Sequence, residues 1–212
     1  MGKIVGIGLN HRGHAEEIGA PAPAEPIVFL KAATALAGPH DPLVLPRGAA
    51  RTDWEVEFGV VIGRRMKHVA RADALRHVAG YTILNDISER AWQLEGTGQW
   101  TKGKSHDSFA PMGPWLVTPE ALPDVQSLEL STHVNGERMQ AGSTARMIFG
   151  VAEILSCLSD LTTLEPGDVI ATGTPAGVGQ VRTPPRFLSA SDEMVLRVAG
   201  LGEQRVAIMT EG

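Results

Sequence analysis

Two glutamates at alternate positions, Glu55 and Glu57, are the first residues in this chain whose spacing suggests chemistry. They alternate with Trp54, Val56 and Phe58, which is the pattern of a β-strand whose successive side chains point to opposite faces. Two carboxylates on one face repel each other unless solvent or a cation lies between them. Taken alone, such a pair is more often the solvated face of an amphipathic strand than a binding site.

A third carboxylate, Asp86, ends an apolar strand that is predicted to begin at residue 80. Strand ends are places where a rigid sheet presents polar groups to a cleft. Three carboxylates without a cysteine suit a hard, oxygen-preferring cation, so Glu55, Glu57 and Asp86 are candidate ligands for Mg²⁺ or Mn²⁺ rather than Zn²⁺. The alternative for Asp86 is an Asn-Asp turn that caps a short helix over residues 88–94.

Helical spacing after Asp86 places Arg90 and Gln93 on the same side, where both could reach one ligand. The alternatives are a surface ion pair between Asp86 and Arg90 and a glutamine that faces solvent. Lys104 follows a glycine-containing stretch flanked by aromatic residues. Without further context, we expect Lys104 to lie at the surface in a flexible loop.

His14 and Glu17 lie three residues apart on a predicted short helix over residues 10–18, which Asn10 could cap. The two side chains face the same way, so the carboxylate could orient the imidazole as a general base. His11 competes for this role, but six residues from Glu17 it would lie on the opposite side of the helix. A histidine and a glutamate on a helix surface, without a function, are the alternative.

The stretch TGTPAGVG at residues 172–179 is only superficially like a phosphate-binding loop. No Gly-Lys-Ser/Thr follows it and no helical pattern opens after it, so we exclude nucleotide binding. The free backbone N–H groups of such a turn and the hydroxyl of Thr174 would still suit a small carboxylate. A simple loop is the alternative.

Composition limits the kinds of protein that these residues can belong to. The 212 residues fit one domain, and 43% hydrophobic and 20% charged residues are ordinary values for a globular protein. The net charge of −5 and the scattered basic residues argue against a nucleic-acid partner. The single cysteine, Cys157, excludes a disulfide or a thiolate zinc site within one chain. With neither a signal-peptide pattern nor an apolar window of about 18 residues, we expect a cytoplasmic protein without a membrane partner.

The elements that must position these residues are mostly short strands, separated by 24 glycines and 14 prolines. A hairpin is predicted to turn at Asn135 and Gly136. The clearest helix covers residues 148–161, and a loop is expected over residues 38–47. Strands are predicted over residues 4–9, 27–30, 53–62, 80–84, 169–172, 194–198 and 205–209. Many strands with few, short helices favour a rolled or sandwiched mixed β architecture over a doubly wound sheet.

Several motifs, in order along the chain, together resemble the fumarylacetoacetate hydrolase family. They are DWEVEFGVVIG at residues 53–63, NDISERAWQ at 85–93, GKS at 103–105 and TGTPAGVG at 172–179. Separate motifs in one family's order are highly specific. Within the family, the stretches SERAWQLE, GQWTKGKS and GLGEQR are most similar to the branch of acylpyruvase type that cleaves 2,4-diketo-3-deoxy sugar acids.

The resemblance implies a fold and an assembly. The fold would be α+β and β-rich, a mixed β-sandwich roll of the fumarylacetoacetate hydrolase C-terminal domain type with few short helices. Residues 1–26 would form an N-terminal strand and a lid segment, and residues 27–212 the catalytic β-roll, within a single domain overall. The resemblance also implies a homodimer.

The resemblance assigns roles to individual residues as well. Glu55, Glu57 and Asp86 match the family's metal ligands, for Mg²⁺ or Mn²⁺ with Ca²⁺ as a substitute in crystals. His14 and Glu17 match a water-activating pair on the lid. His11 and His106 depart from the family pattern, which often has tyrosine at the first position and a small or apolar residue at the second. Substrate-holding positions of the family correspond to Lys31, Arg90, Gln93, Lys104 and Thr174.

The implied reaction is hydrolysis of a C–C bond in a small 2,4-dioxo acid. Water activated by His14 would attack the C4 carbonyl, and the leaving pyruvate enolate would be stabilised by the metal and Lys104. The same enolate would serve a 2-oxo acid hydratase, an oxaloacetate decarboxylase or an isomerase of the 5-carboxymethyl-2-hydroxymuconate type. A non-catalytic metal- or ligand-binding β-domain is the alternative from another class, and it would need no general base.

Overall fold

Strands make up most of the regular structure. The computed structural model describes residues 2–211. Within them, the strands are β1 (Ile4–Gly8), β2 (Ile27–Lys31), β3 (Leu36–Ala37), β4 (Leu43–Leu45), β5 (Thr52–Asp53), β6 (Val56–Ile62), β7 (Val78–Asn85), β8 (Ser88–Glu89), β9 (Ala110–Val117), β10 (Glu129–Val134), β11 (Glu137–Ser143), β12 (Val169–Ala171), β13 (Glu193–Val198) and β14 (Gly202–Thr210). The α-helices are α1 (Arg12–Glu17), α2 (Arg90–Leu94), α3 (Thr101–Lys104) and α4 (Val151–Leu161). Short 3₁₀ turns occur at Ala33–Ala35, Ala74–His77, Thr144–Arg146 and Gly179–Val181.

Two large sheets pack against each other. One has seven strands in the order β2-β1-β12-β6-β7-β9-β3, the other has five in the order β11-β10-β13-β14-β4, and β5 pairs with β8 in a small third sheet. Most pairs are antiparallel, whereas β1–β12, β3–β9 and β4–β14 are parallel. Strands β10, β13 and β14 contact β6, β7 and β9. The α+β, β-rich sandwich roll that the sequence predicts is confirmed.

Strand β6 lies at the centre of the larger sheet and is covered on both faces. All residues from Val56 to Val60 are buried, and Phe58 and Val60 belong to an apolar cluster that also contains Ile83 of β7 and Leu196 of β13. A strand buried on both faces has no solvated side. The polar residues of this strand can therefore meet solvent or a ligand only through a pocket.

Two local predictions agree with the structure. Asn135 and Gly136 have φ angles of 51° and 81°, and they join β10 to β11 in the left-handed conformation that a tight hairpin needs. The predicted helix over residues 148–161 is α4, which begins at Val151 and buries the expected apolar face. None of the helices within residues 2–211 has the length and apolar character that crossing a membrane requires.

Asn10 does not have the role that its sequence context predicts. Helix α1 begins at Arg12, and no side chain caps its first turn. The Asn10 Oδ1 instead accepts a hydrogen bond from the Phe149 N–H at 2.8 Å, and its Nδ2 donates to the carbonyls of Phe149 at 3.1 Å and Thr172 at 2.7 Å. A residue that favours helix caps locally thus joins three segments that are far apart in the chain.

Two stretches that were expected to be loops contain regular structure. Residues 101–104 form α3, which packs against α2 and β2. Residues 43–45 form β4, which adds a parallel strand to β14 with Leu43 opposite Ile208. In both places the neighbouring elements, rather than the local sequence, stabilise the conformation.

Replacing Asn10 with alanine should lower the free energy of unfolding by about 2–4 kcal/mol, because three buried backbone groups would lose their partner. Urea unfolding followed by tryptophan fluorescence measures this change. Gln99 is an exposed amide and provides the control, since Gln99→Ala should change stability by less than about 0.5 kcal/mol. Equal effects of the two substitutions would contradict the cross-linking role of Asn10.

Candidate active site

Three carboxylates meet where β6 begins and β7 ends. The two strands are antiparallel with Val56 opposite Asn85, so the residues just beyond this pair, Glu55 and Asp86, are neighbours. Their backbones join through the Asp86 N–H and the Glu55 carbonyl at 2.9 Å. One oxygen each from Glu55, Glu57 and Asp86 lies within 4.8 Å of the others, and all three residues are buried. The interpretation of the two glutamates as a solvated strand face is therefore wrong.

The chemistry of this cluster fits a divalent cation. Its donors are all carboxylate oxygens, which Mg²⁺ and Mn²⁺ prefer. Burial, together with the charges of Asp86 and Glu55, raises the pKa of Glu57 well above its ordinary value. The protein offers the Glu57 side chain one backbone donor, the N–H of Gly173 at 2.7 Å. A cation among the three carboxylates would relieve this repulsion.

Two lysines contact the cluster directly. The Lys104 Nζ lies 2.8 Å from Glu55 Oε2 and 2.7 Å from Asp86 Oδ2, and the Lys31 Nζ lies 2.6 Å from Asp86 Oδ1. Burial disfavours the charge of Lys104, but Asp86 and Glu55 outweigh that effect and raise its pKa. Burial dominates at Lys31 and lowers its pKa. The expectation from local sequence that Lys104 lies at the surface is wrong, because α3 directs it into this cluster.

Arg90 fixes the orientation of Glu55. Its Nη1 lies 2.7 Å from Glu55 Oε1 and donates to Gln93 Oε1 at 3.0 Å, and its Nε donates to Asp53 Oδ2 at 2.9 Å. Burial disfavours an ionised Glu55, yet the charges of Lys104 and Arg90 outweigh it and hold the pKa of Glu55 well below its ordinary value. The alternative of a surface ion pair between Asp86 and Arg90 does not occur, since Arg90 is buried against other carboxylates.

Asp53 is a site residue that the sequence reasoning missed. It accepts hydrogen bonds from the Gly179 N–H at 2.7 Å and the Gln180 N–H at 3.1 Å, and so connects the Arg90 guanidinium to the glycine-rich loop. The sequence did contain a signal that Asp53 belongs to the site, because Asp53 is the first residue of the motif that contains Glu55. Its contacts, however, are distant in the chain: Arg90 lies 37 residues away, and Gly179 and Gln180 lie 126 and 127 residues away.

The His14 imidazole and the Glu17 carboxylate form a pair on α1. Nδ1 of His14 lies 2.6 Å from Glu17 Oε1, and the other Glu17 oxygen accepts the Gly177 N–H at 2.8 Å. His14 lines the same cavity, of about 90 Å³, as Glu55 and Glu57. The structure therefore places a carboxylate-oriented imidazole opposite the candidate metal cluster, at the spacing that the sequence predicts.

The remaining predicted site residues divide into two groups. Arg90, Gln93, Lys104 and Thr174 line the cavity, whereas Lys31, Glu17 and Asp86 lie behind its wall. The Thr174 hydroxyl donates to the Val56 carbonyl at 3.0 Å and accepts from the Gln140 Nε2 at 2.8 Å, so its proton is used within the protein. Two aromatic residues that the sequence reasoning left out, Phe29 and Trp100, also line the cavity.

His11 and His106 lie outside the catalytic cavity. The His11 ring is buried beside α1, where burial and then the nearby charge of His14 lower its pKa from 6.5 to about 4. The His106 ring contacts Trp92 and Phe109, with centroid distances of 6.4 Å and 5.4 Å. Neither histidine lines the wall that contains His14, so His14 is the imidazole that faces the carboxylates.

Comparisons with known proteins agree with this geometry. Residues 3–209 match the protein family described as fumarylacetoacetate (FAA) hydrolase, C-terminal. A relative from Burkholderia cenocepacia, named only provisionally as a hydrolase, is 52% identical over 205 residues, which cover 96% of this chain and 73% of the relative. The crystal structure of 5-carboxymethyl-2-hydroxymuconate delta-isomerase from Mycobacterium smegmatis is 39% identical with a TM-score of 0.88, covering 100% of this chain and 80% of that one. Fumarylacetoacetate hydrolase from Exiguobacterium antarcticum is 37% identical with a TM-score of 0.90, covering 99% of this chain and 75% of that one.

Replacing Glu57 with glutamine should separate metal binding from folding. In chelator, Glu57→Gln should be at least as stable as the unaltered protein, because a repelled, buried carboxylate becomes neutral. Mg²⁺ or Mn²⁺ at about 100 times its dissociation constant should stabilise the unaltered protein by about 2.7 kcal/mol, and the variant should lose most of this gain. Thermal unfolding with and without the cation measures both effects.

The matched control for that experiment is Glu25→Gln, which removes an exposed carboxylate and should keep the full response to the cation. If Glu57→Gln responded to Mg²⁺ and Mn²⁺ as strongly as this control, the carboxylate cluster would not be the cation site.

His11 should contribute a defined pH dependence of stability. Its pKa is near 4 when folded and 6.5 when unfolded, so the unfolded chain binds the extra proton between these values. The free energy of unfolding should therefore fall by ~3 kcal/mol from this group as the pH decreases through that window. Urea unfolding between pH 7 and 4 should show a shallower pH dependence for His11→Gln. The exposed His40, changed to glutamine, should leave the slope as it is, and an unchanged slope in His11→Gln would contradict the assignment.

Proposed function

The chain belongs to the fumarylacetoacetate hydrolase family, and from this premise we propose that it is a metal-dependent isomerase of a small, unsaturated 2-oxo acid. The observation that carries the proposal is the imidazole–carboxylate pair of His14 and Glu17, whose imidazole lines the same small cavity as Glu55 and Glu57. A general base opposite a site for a divalent cation suits proton transfer next to a carbonyl group.

The carboxylates of Glu55, Glu57 and Asp86 would hold Mg²⁺ or Mn²⁺. When bound, such a cation supplies Lewis-acid polarisation of the 2-oxo group, which makes the adjacent C–H bond more acidic. Lys104, whose raised pKa keeps it protonated, contacts Glu55 and Asp86 and can donate a hydrogen bond to the oxygen on which negative charge develops. Arg90 remains bound to Asp53 and Glu55 and keeps the latter in place.

His14 would move the proton. Glu17 accepts the Nδ1 hydrogen, which leaves Nε2 free to take a proton from carbon 3 of the substrate. Removal of the proton breaks the C3–H bond, and delivery of a proton from the imidazolium to carbon 5 forms a C5–H bond and shifts the double bond into conjugation. Exchange of the imidazolium proton with solvent between the two transfers would introduce deuterium in D₂O. The Glu17 carboxylate, fixed by the Gly177 N–H, stabilises the imidazolium between the two transfers.

We favour isomerisation over hydrolysis because isomerisation needs only the groups already named. His14, Lys104 and two of the three proposed cation ligands, Glu55 and Glu57, line one cavity of about 90 Å³, and no second reactant has to share that space. Similarity over the whole chain to a solved delta-isomerase supports the same preference for isomerisation.

Hydrolysis of a C–C bond in a 2,4-dioxo acid is the second candidate. The observation that favours it is the similarity to a solved fumarylacetoacetate hydrolase, 37% identical with a TM-score of 0.90. An imidazole oriented by a carboxylate can also activate water for attack on a carbonyl. In that reaction the His14 proton acceptor would face a water instead of carbon 3.

The test is proton transfer in D₂O, followed by NMR with Mg²⁺ present. The unaltered protein should shift the double bond of a β,γ-unsaturated 2-oxo acid and incorporate deuterium, and His14→Ala should do so about 10²–10⁴-fold more slowly. The variant should still bind Mg²⁺ and pyruvate, because its carboxylates are intact. Calorimetry measures that binding.

His106→Ala is the control, since His106 lies outside the cavity, and it should keep the full rate. Release of pyruvate from a 2,4-dioxo acid without double-bond migration would establish the hydrolase instead. A His14→Ala variant as fast as His106→Ala would remove the proposed base from the mechanism.

A further inference from the structure

One wall of the catalytic cavity is aromatic and is built into the sheet. The rings of Phe29 on β2 and Trp100 before α3 contact each other at a centroid distance of 5.6 Å and an interplanar angle of 59°. They rest on two glycines of β1. A Cβ on Gly6 would come within 2.2 Å of Phe29 Cζ, and one on Gly8 would come within 2.5 Å of Trp100 Cζ3. The position of both rings therefore depends on the absence of side chains beneath them.

This aromatic wall separates two cavities. The inner one, of about 90 Å³, is lined by Glu55, Glu57 and His14, and the outer one, of about 430 Å³, is lined by residues 27–30 and 98–101. Phe29 and Trp100 line both. A substrate whose 2-oxo acid end fills the inner cavity can therefore extend its other end past these rings towards the outer cavity.

The inner cavity has no unpaired lysine or arginine among its described lining residues that could bind a second carboxylate of a substrate. Among the lining residues that the structure describes, the lysine and arginine side chains are those of Lys104 and Arg90. Lys104 is bound by Glu55 and Asp86, and Arg90 by Asp53 and Glu55. A second carboxylate buried here would lack a counter-charge, which is costly.

The groups next to the aromatic wall are mainly apolar. Ile7, Ile18 and Leu94 line the inner cavity together with the two rings. Two amides also line the cavity: the Gln93 side-chain oxygen accepts a hydrogen bond from Arg90, and the backbone N–H of Gln180 binds Asp53. On the outer side of the rings, the polar side chains of Gln99 and Thr101 hydrogen-bond to each other, so hydroxyl groups of a substrate would compete with that contact.

We propose that Phe29 and Trp100 select 2-oxo acids whose end remote from the oxo group is uncharged and apolar, an alkyl or aryl tail. This inference rests on the proposed function for the 2-oxo acid end and adds the class of the tail. Because the tail contacts ring faces rather than hydrogen-bonding groups, the selection depends on apolar contact area and on the exclusion of charge.

The test measures binding, so that it does not depend on turnover. Calorimetry with the Mg²⁺-loaded protein would compare pyruvate, 2-oxohexanoate, 2-oxo-4-phenylbutyrate, 2-oxoglutarate and a polyhydroxylated 2-oxo acid. The alkyl and aryl compounds should bind about tenfold or more tightly than pyruvate, and 2-oxoglutarate and the hydroxylated acid no more tightly than pyruvate. Trp100→Ala should reduce the alkyl and aryl advantage about tenfold, whereas Trp100→Phe should preserve most of it.

Trp115 provides the matched control, since its side chain is 57% exposed and far from the cavity lining, and Trp115→Ala should keep the preference. Any of three results would overturn the inference. They are tightest binding of 2-oxoglutarate or the hydroxylated acid, an undiminished apolar preference in Trp100→Ala, and no binding of any compound. Apolar preference without double-bond migration in the NMR assay would reject the isomerase function and leave this inference standing. Double-bond migration together with a preference for charged tails would support the isomerase function and reject this inference.

Discussion

Mutual repulsion of buried carboxylates is the constraint on which the site depends. Glu55, Glu57 and Asp86 converge because β6 and β7 pair with Val56 opposite Asn85, and all three are removed from water. Such a cluster is stable only with positive charge close by. Lys31, Lys104 and Arg90 supply part of it, but with Asp53 included the cluster still has four carboxylates against three cations. The proposed divalent cation would reverse this imbalance, and the carboxylate of the proposed 2-oxo acid would then restore neutrality.

The same constraint explains why the lysines and the arginine have different roles. Arg90 reaches two carboxylates with a planar, permanently charged group and fixes their orientation, which is a task suited to guanidinium. Lys104 touches two metal-ligand candidates and lies on the cavity wall, where an ammonium can also meet a ligand. Lys31 is fully enclosed behind Asp86. Position relative to the cavity, rather than charge alone, distinguishes these residues.

Helix α1 carries His14, the proposed base, which lines the same cavity as Glu55 and Glu57 and is not one of the three clustered carboxylates. The helix is only six residues long, and its place is determined by contacts outside it: Asn10 holds the chain just before it, and the Gly177 N–H holds Glu17 at its end. Both anchoring contacts involve the segment around the glycine-rich loop, since Asn10 also binds the Thr172 carbonyl. That loop therefore positions the base as well as lining the cavity through Thr174, a role quite different from the phosphate loop that its composition superficially suggests.

The sequence by itself determined the parts of this protein that depend on local periodicity and residue chemistry. Alternation brought Glu55, just before β6, and Glu57, within β6, to one cluster, although the predicted strand over 53–62 is interrupted at residues 54–55. Helical spacing paired His14 with Glu17, and Asn135 with Gly136 specified a hairpin, because each pattern involves neighbours whose geometry the backbone fixes. The order of the motifs further indicated the fold. Tertiary structure decided that Asn10 is a cross-link, that Asp53 binds Arg90, and that Phe29 and Trp100 form a wall over Gly6 and Gly8. Those contacts join residues tens to more than a hundred positions apart, and no local pattern records which distant partner a side chain will meet.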